Sequence, residues 1–414
     1  MIAAYQILNI NLGHFWDEAW VYAPGIRSLG NDIPSILPDA LPVDLSRGHP
    51  LLFQFLGGLW MKVFGLSNAS AHSYALLVTV LCTLAVYWLL EKSFGQMAAF
   101  FASALVAIQP IFVAQSAMLY PEMMMTLGLI LALKGYIELQ NWLFAIGLSI
   151  AIYSKETAIV FFVAFMAWDF LLLMSSRSGL KSFAKYLVPV LVMLSHPALL
   201  YLYHGWFLFP GHTGYITFNI QDIKWNARGV LAFLFEKQNR GWIVYPAIVL
   251  GVLSLRLRKI WFNLLLIGIG FSVYKVFVWK WVVPTWLYIV IMLIGIFSPL
   301  ILWQWSNRGK TLNSIHHLIG ISYLLLIGFV IFSSMNFYTP RYMLCAIALA
   351  SIASMTIVWN VGWIPSFGKI ILSVVGISLS GYSLLTERYS GELNLGLYDD
   401  LRVQQNMVNW MVEN

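Results

Sequence analysis

Hydrophobic residues run along this chain in stretches of roughly 18–22, the length at which an α-helix crosses a bilayer, and short polar turns separate them. The runs are continuous rather than alternating, which excludes a transmembrane β-barrel. By length and pattern, about twelve membrane helices are predicted, over residues 71–90, 97–115, 120–139, 141–154, 157–175, 184–206, 241–255, 260–279, 285–303, 313–334, 341–359 and 367–385. Three regions break the pattern. Residues 12–70 are rich in Pro, Asp and Gly up to Pro50, then turn apolar and aromatic from Leu51 to Phe64. That stretch is expected to lie along the membrane interface. Residues 207–240 form a second polar loop. The tail, 386–414, holds one amphipathic segment, Asp399 to Val412, with Val403, Met407, Trp410 and Met411 on one helical face. The expectation is an all-α polytopic transmembrane helical bundle as one domain, 1–385, followed by an outer tail that opens a soluble domain cut short.

Composition agrees with this reading and overrides length. A chain of 414 residues suggests two or three soluble domains, but 60% of it is hydrophobic and only 10% is charged. The net charge of +7 does not point to nucleic acid, because the basic residues sit in short loops with no basic stripe. Their placement instead orients the chain. Lys92, Arg177, Lys181, Lys185, Arg256, Arg258, Lys259, Arg308, Lys310 and Lys369 mark a cytoplasmic side. Residues 1–70, 207–240 and 386–414 then lie outside, in a plasma (inner) membrane protein. Cys82 and Cys345 fall inside predicted helices and read as core residues. The first eleven residues lack the basic start and apolar core of a signal peptide.

Against this apolar background the ionisable groups at the outer helix ends stand out. Asp17 and Glu18 lie in His14-Phe-Trp-Asp-Glu-Ala-Trp-Val-Tyr22. Adjacent carboxylates are costly in hydrocarbon, so they belong at the membrane boundary. Asp17 is either a helix N-cap or a general base for an acceptor hydroxyl. In Arg47-Gly-His-Pro50, the glycine and proline turn the chain before an apolar helix and present Arg47 and His49 at the surface. Arg47 suits phosphate; His49 is either part of that site or an ordinary loop histidine. Glu122 follows Tyr120 and Pro121 at a helix start, where an acid complements the helix dipole or faces a cleft. Lys155 either pairs locally with Glu156 or holds a lipid phosphate. Arg341, followed by Tyr342, either snorkels to the interface or joins the same site. The eight histidines show no metal-ligand spacing on any helix. Three functions fit: a transferase acting on a lipid-linked substrate, a transporter or flippase, and a non-catalytic membrane subunit. A transporter places its polar groups near the bilayer midplane, which this pattern does not.

Taken in order, the outer Asp-Glu, the Gly-His-Pro turn, the acid opening a later helix, the Ser-Lys link and the late Arg-Tyr resemble the GT-C superfamily of integral-membrane glycosyltransferases. Within it the chain is similar to the protein O-mannosyltransferases and the lipid A aminoarabinose transferases. The resemblance implies an inverting transfer from a polyprenyl-phosphate sugar donor to a lipid, glycan or protein acceptor on the outer face. It implies Asp17 and Glu18 as catalytic acids, and Arg47, His49, Lys155 and Arg341 as ligands of the donor phosphate. Glu122, Tyr120 and Tyr342 would meet the acceptor or a metal. No cofactor is required by this chemistry, although a divalent cation fits it. The resemblance also implies a membrane helix ahead of Asp17, where only sixteen residues precede it.

Overall fold

The computed structural model describes residues 2–254, 312–336, 339–388 and 391–413. Every regular element among them is helical. The helices of nine residues or more are α1 (Ala23–Asn31), α2 (Leu52–Phe64), α3 (Asn68–Phe94), α4 (Gln96–Ala107), α5 (Pro121–Ile137), α6 (Asn141–Ser154), α7 (Ile159–Met174), α8 (Leu187–His204), α9 (Ile220–Phe235), α10 (Gly241–Ser254), α11 (Ser314–Met335), α12 (Leu344–Asn360), α13 (Ser366–Thr386) and α14 (Gly396–Glu413). Six stretches among the described residues are long and apolar enough to cross a membrane. Several others are shorter apolar helices. The segments predicted at 260–279 and 285–303 lie outside the described residues.

One predicted span is corrected. Residues 97–115 do not form a single helix: α4 ends at Ala107, and a short helix, Pro110–Ala114, follows. Pro110 lacks an N–H and pushes Gln109 out of helical geometry, to φ −59° and ψ 130°. Residues 116–120 then run through the interior without i→i−4 hydrogen bonds. Buried backbone must still find partners. The Thr79 hydroxyl donates to the Ser116 carbonyl at 2.8 Å, Gln6 Nε2 to that of Val113 at 2.9 Å, and the Tyr398 hydroxyl to that of Ala114 at 2.8 Å.

Small residues set the closest helix pair. A Cβ on Gly128 would lie 2.6 Å from the Ala151 nitrogen, and Cβ atoms on Gly135 and Gly147 would strike backbone of the opposite helix. The backbones of α5 and α6 therefore touch, as small residues permit between apolar helices. This hairpin carries Glu122 at the start of α5 and Lys155 just after α6, so both reach the same end of the bundle. In the first loop, α1 packs flat against α2, where a Cβ on Gly58 would lie 2.7 Å from Leu29 Cβ. α2 buries Phe53, Gln54, Gly57, Gly58 and Met61 and exposes Val63 and Phe64. The tail helix α14 buries Leu397, Tyr398 and Leu401, while the face read from the sequence, Val403, Met407, Trp410 and Met411, is exposed.

Candidate active site

The backbone around the acidic pair decides where each carboxylate goes. Trp16 is left-handed, with φ 47°, an uncommon state for a bulky residue. Asp17 then leads into a π-turn, Glu18–Tyr22. Such turns are rare and recur at functional sites. The two carboxylates diverge. Asp17 makes no N-cap hydrogen bond. It accepts instead from Arg341 Nη2, and its other oxygen lies 3.5 Å from Arg47 Nη1.

Glu18, expected beside Asp17 as a catalytic acid, instead turns inward, away from it. It is fully buried, and protein groups surround both oxygens. Oε1 lies 3.0 Å from the Leu119 N–H, 3.1 Å from His72 Nε2 and 3.3 Å from His14 Nδ1; Oε2 accepts from the Phe15 N–H at 3.1 Å. Burial alone would raise its pKa, but His72 and His14 outweigh burial and hold it down at about 2.

Next to Asp17, Arg341 links three carboxylates. Besides Asp17, its Nη1 donates to Glu392 Oε1 at 3.0 Å and its Nε lies 3.5 Å from Glu122 Oε1. Its side chain is 3% exposed, so it does not snorkel. Expected as a phosphate ligand, it is already invested in acids. Lys155 donates to Glu122 Oε1 at 2.5 Å, not to its neighbour Glu156, and sits 3.8 Å above the Tyr342 ring. A small cleft opens here, lined by Glu122, Lys155, Thr157, Ser333, Tyr342 and apolar side chains. Tyr120 donates to Glu392 at 2.5 Å. Glu392 was not singled out from the sequence: it lies in the tail with no motif around it. Burial raises its pKa, against the pull of Arg341.

The Arg47-Gly-His turn completes this end of the molecule. Arg47 and Gly48 are both left-handed, with φ 46° and 68°. Arg47 pays strain there, and a Cβ on Gly48 would lie 2.8 Å from Phe209 Cβ. The Gly48 carbonyl is 3.0 Å from His196 Nε2. His49 Nδ1 is 2.8 Å from Glu156 Oε2, and its ring lies 4.9 Å from that of His212. Ligand atoms of His49, Glu156 and His212 fall within 4.8 Å of one another, a spacing that could hold a metal ion. Burial lowers the pKa of His212, and His49 lowers it further. Asp17, Arg47, Glu122, Lys155, Arg341 and Glu392 thus form one ionic network, with His49 beside Lys155 through Glu156.

Fold and site together define a class: a polytopic helical membrane protein in which acids and cations from distant segments meet beside a small cleft at one end. Residues 48–201 match the family model described as dolichyl-phosphate-mannose-protein mannosyltransferase. The fold is similar to that of ArnT from Cupriavidus metallidurans bound to undecaprenyl phosphate, with a TM-score of 0.53 and 13% identity over 93% of this chain and 62% of that one. It is similar also to the same ArnT in the apo state, with a TM-score of 0.50 and 13% identity over 96% of this chain and 66% of that one. No curated protein matches the chain. The family model covers little more than a third of the chain, and at 13% identity the likeness to the solved structures is one of fold. The chain spans 62% of the length of the first of these structures.

Proposed function

We propose that this protein transfers a sugar from a polyprenyl-phosphate donor to an acceptor hydroxyl on the extracytoplasmic face, with inversion. Asp17 takes the acceptor proton as its oxygen attacks the anomeric carbon. The bond from that carbon to the phosphate oxygen breaks, and polyprenyl phosphate departs. Arg47, Lys155 and His49 stabilise the charge that grows on the departing phosphate, a preorganised electrostatic effect of the kind that dominates many such steps. Arg341 aims Asp17 rather than binding phosphate. Glu18 anchors the loop from behind. The departing phosphate is a tolerable leaving group, so the step needs no cofactor; a divalent cation would find its ligands in His49, Glu156 and His212.

One observation supports this reading above the others. Asp17, Arg47, Glu122, Lys155 and Arg341 come from five distant segments and meet at one end of the bundle. A transporter or flippase would place such groups at mid-depth on broken helices. The test is incubation of the purified protein with a panel of polyprenyl-phosphate sugars and candidate acceptors. Release of polyprenyl phosphate that depends on acceptor and on Asp17 is expected. Release by none of the panel, with intact lipid moved across vesicles instead, would turn the assignment to a flippase.

A further inference from the structure

We propose that His14, Glu18 and His72 form a metal site, best matched to Zn2+, that clamps the first loop to the outer end of α3 directly behind Asp17. The three residues take no part in the transfer step. Their ligand atoms all lie within 4.8 Å of one another. A tetrahedral ion with bonds of about 2.0–2.1 Å places its ligand atoms about 3.3–3.4 Å apart. Glu18 Oε1 is 3.3 Å from His14 Nδ1 and 3.1 Å from His72 Nε2.

The proton on His72 points the same way. His72 Nδ1 is 2.9 Å from the Ile10 carbonyl, which can only accept. Nδ1 therefore carries the proton, and in the neutral ring Nε2 offers a lone pair toward Glu18. A ring N–H held by a backbone carbonyl is the usual support behind a metal-bound histidine. His14 faces the same oxygen: its side chain is 10% exposed, and Nδ1 lies 3.3 Å from Glu18 Oε1 without hydrogen-bond geometry. The carboxylate is also oriented: the Phe15 N–H holds Oε2, which leaves Oε1 facing both rings. Two imidazoles and one carboxylate are a zinc-like ligand set, with the fourth position left to water. Binding at His14 Nδ1 puts the proton on Nε2. Arg27 Nη2, now 3.5 Å from that atom, then keeps only its bond to Asn68 Oδ1. Without a metal, the same atoms are held by a doubly protonated His72 donating to Glu18.

These two states differ in metal content, which is read without any transfer assay. The full-length protein in detergent is stripped with chelator, refilled with ZnCl2, freed of excess and analysed for zinc. In a His212→Ala background, which disables the second histidine group, about one zinc per chain is expected, lost when His14→Ala or His72→Asn is added. Cobalt in place of zinc should give the visible absorption of a four-coordinate site in wild type and His212→Ala. The zinc-loaded protein should melt several degrees above the stripped one. Zinc absent from His212→Ala, or persisting when His14→Ala or His72→Asn is added to it, overturns the proposal. Should those two variants fail to fold, an absence of zinc and of the cobalt spectrum in His212→Ala overturns it.

Discussion

The two ends of the bundle both bury charge, and they do so differently. At the end away from Asp17, Asp169 of α7 is closed off. Its Oδ1 accepts from the Tyr136 hydroxyl at 2.5 Å, and its Oδ2 from the Tyr186 hydroxyl at 2.6 Å and from Lys185 at 2.7 Å. Lys185 in turn lies 4.0 Å above the Tyr136 ring. One acid meets one cation and two neutral donors, and this pins α5, α7 and the start of α8 together. The opposite end is left incomplete. Arg341 serves three carboxylates, and Glu122 Oε2 and Arg341 Nε are buried without hydrogen bonds. Buried polar atoms are nearly always satisfied in structural networks. An ionic cluster that leaves such atoms open beside a cleft is shaped for something that arrives. The comparison sets a single saturated acid, Asp169, against an arginine shared among three.

Mutations sharpen this contrast. Asp17→Asn is expected to have the largest effect on the reaction, lowering kcat about 10²–10⁴-fold as loss of a general base does, with donor affinity little changed. Single-turnover assays and donor titration check this, and near-normal turnover would remove Asp17 as the base. Lys155→Ala leaves buried Glu122 with only the more distant Arg341 at 3.5 Å and should destabilise the protein by up to about 3 kcal/mol, besides weakening donor binding. Adding Glu122→Gln should restore much of the stability but not the donor affinity, a split that thermal melts and titration read separately. Glu18 ties stability to pH. Its carboxyl titrates lower folded than unfolded, so its contribution is fully present above about pH 4.5 and is lost as the pH falls toward 2. The loss is on the order of 3 kcal/mol. The gap in melting temperature between wild type and Glu18→Gln should shrink over that window, and a gap that does not change with pH would show Glu18 to be unlinked. At the closed end, Asp169→Asn should cost about 1–3 kcal/mol of stability while kcat and donor KM of the folded protein hold. A changed KM there would erase the distinction between the two ends. The smallest effect is expected at half-exposed Arg47, where alanine should raise donor KM several-fold, and less so at high salt because exposed charge is screened.

Much of this molecule was legible from apolar periodicity. Predicted spans such as 71–90, 141–154, 313–334 and 367–385 correspond to helices Asn68–Phe94, Asn141–Ser154, Ser314–Met335 and Ser366–Thr386. In hydrocarbon a backbone must satisfy itself locally, so a long apolar run has few alternatives to helix. The exception at 97–115 was also written in the chain, as Pro110. The tail helix was legible but its buried face was not, because contact with Gln6 and Ala114 selected Tyr398 and its neighbours over Val403, Met407 and Trp410.

The site divides along the same line. Sequence by itself determined the inventory: acids and cations placed at helix ends, where water solvates them and hydrocarbon does not. It could not determine the pairing, because a carboxylate's partner depends on which helix ends become neighbours. Lys155 passes over adjacent Glu156 for Glu122, Glu156 takes His49, and Arg341 reaches Glu392 across 51 residues. Histidines with no helical ligand spacing become two compact groups, His14 with His72 and His49 with His212, only once the outer loops fold back over the bundle. Helix formation is governed by neighbours along the chain, whereas the chemistry rests on neighbours in space, and packing alone supplies those.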